Sequence, residues 1–188
     1  VRPDAPFYVG TTRPSRIGWT RIGLTVLAGV IATLLMSSRS SVAAGLLIAF
    51  LFALLTLWTW MGQHARFVVD ERGLTVSLGG FLPRKPWPLA DFRTVQYRTL
   101  GASTVGVTLG GYGWRRGRAS ASTPAELSPV GSRKIYTTGQ AQQPYRLMVT
   151  RAGTMVEIVG RSGTNYVISP EDTEATAAAI DQAIRARR

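Results

Sequence analysis

Cysteine is absent from this 188-residue chain, which excludes a disulfide framework, a thiolate metal site and a cysteine nucleophile and suits a soluble part facing the reducing cytoplasm. Histidine is nearly absent too. His64, the only one, has no Asp/Glu cluster near it and reads as an interfacial residue rather than a metal ligand. With one histidine and no G-x-S-x-G elbow, Ser/His/Asp catalysis has no support. Acids are scarce, 10 Asp+Glu against 22 Lys+Arg for a net charge of +12. Adjacent Asp70 and Glu71 read as turn chemistry, not as an acid/base pair. The only lysines are Lys85 and Lys134, and arginine in such excess beside so much Ala and Gly reflects a GC-rich genome more than a function. The charge still selects an anionic partner. Beside a membrane that partner is the anionic leaflet, where each basic residue contributes on the order of 1 kcal/mol. Nucleic acid, which a basic soluble protein would suggest first, is the lesser alternative.

What the chain does have is a long apolar run. Val42–Met61, VAAGLLIAFLFALLTLWTWM, holds no charge and no proline, and as a helix its length matches a hydrocarbon core of about 30 Å. A shorter run, Ile22–Met36, precedes it, and the predicted spans are about 20–37 and 42–61, with Ser37–Ser41 as a tight turn between them. Small residues four apart, Thr25, Gly29 and Thr33 on the first span and Gly45, Ala49 and Ala53 on the second, are candidates for close helix packing within the hairpin or against a partner helix. Arg13, Arg16 and Arg21 precede the first span and Arg66, Arg72, Arg84 and Lys85 follow the second, while the turn holds Arg39 alone. Basic residues favour the cytoplasmic side, so both termini are expected there, with Trp19, Arg21, Trp58 and Trp60 at the interface. A signal peptide fits poorly, because a second and longer apolar run follows the first. Residues 1–21 read as an extended cytoplasmic lead-in lying along the membrane through Phe7, Tyr8 and Trp19.

From Phe67 the period becomes two. Phe67–Val69 and Leu74–Leu78 flank Asp70–Gly73 as a β-hairpin with Gly73 at positive φ. Arg84–Leu89 reads as an edge strand because Pro86 and Pro88 cannot donate. Thr94–Leu100, Lys134–Thr138, Tyr145–Thr150, Met155–Gly160 and Asn165–Ile168 are further strands, the last two joined at Arg161–Gly163. Residues 101–132 read as an irregular loop with one short strand at Thr104–Leu109. Ser169-Pro170-Glu171-Asp172 reads as the N-cap of a terminal helix with Ser169 as the cap, and Ala177, Ile180, Ala183 and Ile184 form its apolar stripe.

Two spans, about seven short strands and a C-terminal helix give the order of a PH-like domain on a membrane hairpin. FVVDERGLTVSLG (Phe67–Gly79), the PLADF segment, GGYGWR (Gly110–Arg115) and MVEIVGRSGTNYVISPEDTEATAAAI (Met155–Ile180) resemble the PH-like membrane proteins of actinobacterial type. The resemblance covers about 67–184. It implies a small antiparallel barrel of about seven strands capped by a helix in residues 62–188, and a binding module rather than an enzyme. That family has no catalytic motif to transfer, and this chain departs from it after Arg118. The one soluble stretch suited to an anionic headgroup or a protein partner is Gly110, Gly111, Tyr112, Gly113, Trp114, Arg115, Arg116 and Arg118, where glycines permit close approach and arginines bind phosphate or carboxylate. The alternative for this stretch is a structural turn with its aromatics tucked into the barrel. No cofactor or metal motif is present. The expectation is a non-enzymatic accessory or scaffold subunit of a larger inner-membrane assembly, docked on an integral membrane protein. The second reading is an anionic-lipid sensor.

Overall fold

The structure, a computed structural model, describes residues 6–137 and 139–187. Its helical part is a hairpin of α1 (Arg16–Arg39) and α2 (Val42–Gln63). Ser15 and Ser41 cap them, each side chain accepting a backbone N–H, from Gly18 and Ala44, at 3.2 Å. The most apolar windows have mean hydropathy 1.7 and 2.3, yet only 6% of each is buried. Leu34, Leu46, Phe50 and Trp58 all point outward. A core helix of a soluble domain buries its apolar face; these two do not, and both are long and apolar enough to cross a membrane.

The helices touch through small residues. A Cβ on Gly29 would stand 2.8 Å from Phe52 Cβ, and one on Gly45 would overlap Ser37 Oγ. Ala49 is half-buried against α1, whereas Ala53 is exposed. The packing ladder therefore includes Gly29, Gly45 and Ala49, while Ala53 only borders a surface groove of about 640 Å³ between the helices.

The lead-in reading of residues 1–21 is corrected for its described part. Tyr8–Thr11 is β1, paired antiparallel with β2 (Ala65–Asp70) in the register Tyr8↔Val69 to Thr11↔Arg66. The Tyr8 ring packs on Phe67, 6.2 Å between centroids, instead of lying apart from the domain. Residues 1–5 lie outside the described part. Thr12 continues the pairing, its N–H donating to Ala65 O at 2.8 Å and its Oγ1 accepting from Ala65 N–H at 3.0 Å. The chain thus leaves for α1 and returns from α2 at neighbouring points, so the helical hairpin is an insertion into a β-hairpin.

The first sheet runs β1-β2-β3-β4, with β3 (Gly73–Leu78), β4 (Leu82–Pro83) and β5 (Trp87–Pro88), which also pairs with β3. The expected β2–β3 turn forms: Asp70 Oδ1 accepts from the N–H groups of Arg72 (2.9 Å) and Gly73 (3.0 Å), and Gly73 takes φ +131°. Alternation places Ala65, Phe67, Val69, Leu74, Val76 and Leu78 on one buried face.

The second sheet has the order β7-β9-β11-β10-β6-β8, with β6 (Phe92–Leu100), β7 (Gly113–Ser120), β8 (Leu127–Pro129), β9 (Gln142–Val149), β10 (Gly153–Gly160) and β11 (Asn165–Ile168). Here the expected all-antiparallel barrel of about seven strands gives way to two open sheets. β11 inserts between β9 and β10 and runs parallel to β9. The short β9–β10 link crosses the end of β11, where the Thr150 N–H donates to Ser169 Oγ at 2.8 Å. α4 (Thr173–Ala186) packs its stripe of Ala177, Ile180, Ala183 and Ile184 into the core between the sheets, as expected.

Three local expectations are corrected. Thr104–Leu109 belongs to a helical turn, α3 (Ala102–Thr108), because Val105 and Leu109, four apart, share a buried face while Val107 is 83% exposed. Residues 134–137 form no strand, and Thr138 lies outside the described residues. There the Gln96 side-chain amide stands in for a strand partner, accepting from Tyr136 N–H at 2.9 Å and donating to Tyr136 O at 3.1 Å. The cap of the last helix is Asp172, whose Oδ1 accepts from Ala175 N–H at 2.9 Å, since Ser169 is committed to the β9–β11 contact.

Residues 101–132 are ordered for a physical reason. Strands β10 and β11 are buried on both faces, so their second face needs a cover. α3, β7 and the segment through β8 supply it, closing a second apolar cluster of Leu100, Val105, Leu109, Leu147, Met155 and Val167.

Candidate functional site

The glycine-arginine stretch is a turn followed by an edge strand. β7 pairs only with β9, in the register Trp114↔Met148, Arg116↔Arg146 and Arg118↔Pro144. Alternation then separates its residues. Trp114 turns toward the main core and stacks on the fully buried Trp87, centroids 5.9 Å apart and planes 15° from parallel. Tyr112 packs against the second cluster. Both aromatics are thus half-buried and packed against the two clusters. Arg115 points to the opposite face, where its guanidinium lies over the Gly110–Gly111 turn, about 3 Å from where a Cβ on either glycine would be. Gly110, Gly111 and Gly113 all have positive φ, which suits the turn that delivers β7.

Arg116 and Arg118 remain exposed on one face. The structure adds a residue that the sequence did not single out, Arg146, directly opposite Arg116. Like charges placed opposite each other across a strand pair repel, and none of Arg116, Arg118 and Arg146 forms an ion pair among the described residues. They border a shallow cavity of about 260 Å³ with Tyr145 and Thr164. Arg146 also lies 5.8 Å over the Tyr166 ring. An anionic group placed here would relieve the repulsion and receive arginine donors from two strands.

Behind this edge is a buried charge network. Arg98, fully buried, donates to Glu126 (2.9 Å), Tyr145 Oη (3.1 Å) and Ser120 O (3.2 Å), and lies 3.7 Å from the equally buried Glu157. Glu157 accepts from Tyr145 (2.8 Å) and Gln96 (3.2 Å). Burial first, then the Glu157 carboxylate, pushes the Tyr145 hydroxyl up to about 12, against an opposing pull from Arg98. The readable signal was Glu157 itself, an acid inside the apolar strand MVEIV. The network ties β6, β9 and β10 to the covering segment and fixes the back of the β7–β9 edge.

A second polar tie is Asp91, which accepts from Ser162 N–H (2.7 Å), Ser162 Oγ (2.8 Å) and Tyr166 Oη (2.7 Å). Burial by itself would raise this carboxyl, but these donors outweigh it and hold it below its usual range. Among the described residues, no group of three or more His, Asp or Glu side chains converges.

At the base of the helical hairpin, Trp19 and Trp58 are each 59% exposed, Arg21 is exposed, and Trp60 is half-buried and stacked on His64 at 5.3 Å. Arg84 lies 6.0 Å over the Trp58 ring. Trp58, Trp60, His64 and Arg84 thus cluster at the end of α2, while Trp19 and Arg21 lie in the first turns of α1. Comparison of the chain with protein-family models, curated proteins and solved structures returned no match.

Proposed function

We propose that this chain is a non-enzymatic, PH-like module anchored by its helical hairpin in a bacterial cell membrane, both termini cytoplasmic, and that it serves as an accessory or scaffold subunit of a larger membrane assembly. The observation that carries this reading is the insertion itself. An apolar, outward-facing hairpin grows out of the β1–β2 pair, so both helix bases stand on one side of the bilayer beside the β domain. A cleaved leader would take β1 away from β2; an anchor keeps it. The basic residues at the base, against Arg39 alone at the far turn, favour the cytoplasmic side for the domain. The two sheets with α4 packed between them support the PH-like arrangement. Ala53 and the groove beside it offer a small-residue surface to a partner helix.

The test is purification of the tagged full chain in mild detergent. A stoichiometric integral membrane protein should coelute and be lost on Ala53→Leu or Arg116→Glu. A persistent lone monomer would overturn the scaffold role. The exposed Arg116 and Arg118, with the half-buried Arg146 opposite Arg116, favour a second reading, an anionic-lipid sensor. In that case native mass spectrometry of the full chain should show retained phosphatidylglycerol in preference to phosphatidylcholine, lost on R116Q/R146Q. Equal retention of both lipids would remove this reading.

A further inference from the structure

The loop between β3 and β4, Gly79–Phe81, with Leu82 opening β4, was not singled out in the sequence, yet it sits against the end of α2. The Gly79 N–H donates to His64 O at 2.7 Å and reaches Met61 O at 3.3 Å. A Cβ on Gly79 would stand 2.8 Å from Met61 Cγ and 2.9 Å from Phe81 Cε1, and Gly79 takes φ +62°, so glycine alone fits this junction. The loop is thereby pinned level with the last turn of the apolar helix, and it holds its apolar side chains out. Phe81 is 64% exposed and Leu82 37%. Phe81 is the only exposed large aromatic outside the two long helices among the described residues. Next along the chain come Arg84, over the Trp58 ring, and Lys85. An aromatic tip with basic residues behind it, at the height of a tryptophan belt, matches the layering of a bilayer interface: ring among the upper acyl chains, cations among the headgroups.

We propose that the β3–β4 loop is a third membrane contact, with Phe81 and Leu82 inserted into the interfacial layer and Arg84 and Lys85 on anionic headgroups, so that the β domain is held in one orientation on the bilayer. This rests on the reading of the hairpin as membrane-spanning. The absence of cysteine makes the test direct. Leu51→Cys, Phe81→Cys, Leu82→Cys and Glu71→Cys each introduce a single thiol for a nitroxide label in the full chain, reconstituted in phosphatidylglycerol/phosphatidylcholine vesicles. Accessibility to oxygen, which partitions into the bilayer, is compared with accessibility to a water-soluble nickel chelate. Positions 81 and 82 should show an oxygen-to-nickel ratio several-fold above position 71, at the far end of the same sheet, and below position 51, in the middle of α2. A water-like ratio at 81 and 82 with a bilayer-like ratio at 51 overturns the loop insertion and leaves the anchor standing. A water-like ratio at 51 overturns the anchor itself. Both loop positions are exposed, so labelling disturbs no core contact.

Discussion

Replacing Arg98 with leucine should show how strongly the buried charge network holds the β domain together. Arg98 and Glu157 are each 0% exposed and 3.7 Å apart. Arg98→Leu removes hydrogen bonds to Glu126, Tyr145 and Ser120 and leaves the Glu157 carboxylate with Gln96, Tyr145 and Asn165 as donors but no countercharge in the interior. Removing one partner of a buried pair costs about 3–5 kcal/mol, because the surviving charge is stranded. Set against a total stability of about 5–15 kcal/mol, that is a large part of the margin and lowers the melting midpoint by roughly 10 °C. The measurement is thermal unfolding of the detergent-solubilised chain, followed by tryptophan emission, to which the buried Trp87 and the half-buried Trp114 stacked on it contribute. The second half of the experiment is Glu157→Gln in the Arg98→Leu background. It removes the stranded charge while keeping an acceptor, and should return about 1–2 kcal/mol as a coupling between neighbours. A loss below about 1 kcal/mol, the range of a solvated pair, would refute the argument. So would a double variant less stable than Arg98→Leu by itself.

Two further outcomes follow from packing and titration. Gly10→Ala should loosen β1 from β2, because the new Cβ would overlap Phe67 Cζ and stand 2.8 Å from Phe67 Cε2 in a fully buried ring; the expected cost is about 1–3 kcal/mol, with faster exchange of the Val69 and Ala65 carbonyl partners, the amides of Phe7 and Thr12, and unchanged exchange there would count against β1 as part of the domain. Tyr145 sits near 12 in the fold against an ordinary value of about 10. Its neutral form is the favoured one, so its contribution is complete below about pH 10 and lost as pH rises toward 12, on the order of 2–3 kcal/mol. The denaturant midpoint should be lower at pH 11 than at pH 8, and a flat profile over that range would contradict the buried placement.

Much of the local structure was legible because its causes are local. The Asp70–Gly73 turn, the Arg161–Gly163 turn and the α4 stripe each follow from residues within a few positions of one another. The candidate site was half legible. Gly110–Arg118 was visible as a composition, but alternation along β7 sends Arg115 away from Arg116 and Arg118, and only strand pairing brings in Arg146 from β9. Tyr112 and Trp114 carried the same signal as exposed binding aromatics and turned out to be packed, since an aromatic beside glycine reads alike in both settings.

By itself the sequence determined that two uninterrupted apolar runs become helices, that their polar ends and short turn make them a hairpin, and that a period of two takes over afterwards. These depend on hydropathy and on spacing along the chain. Tertiary structure decided what depends on partners distant in sequence. β1, four residues before a helix, has its partner beyond both helices. β11 takes its backbone partners on both edges from β9 and β10, and its faces are covered by the two apolar clusters. The acid at 157 is tolerated because Arg98 and Tyr145 arrive from other strands. A buried charge or an edge strand is stable only with its partner present, and no window of sequence shows which partner that is.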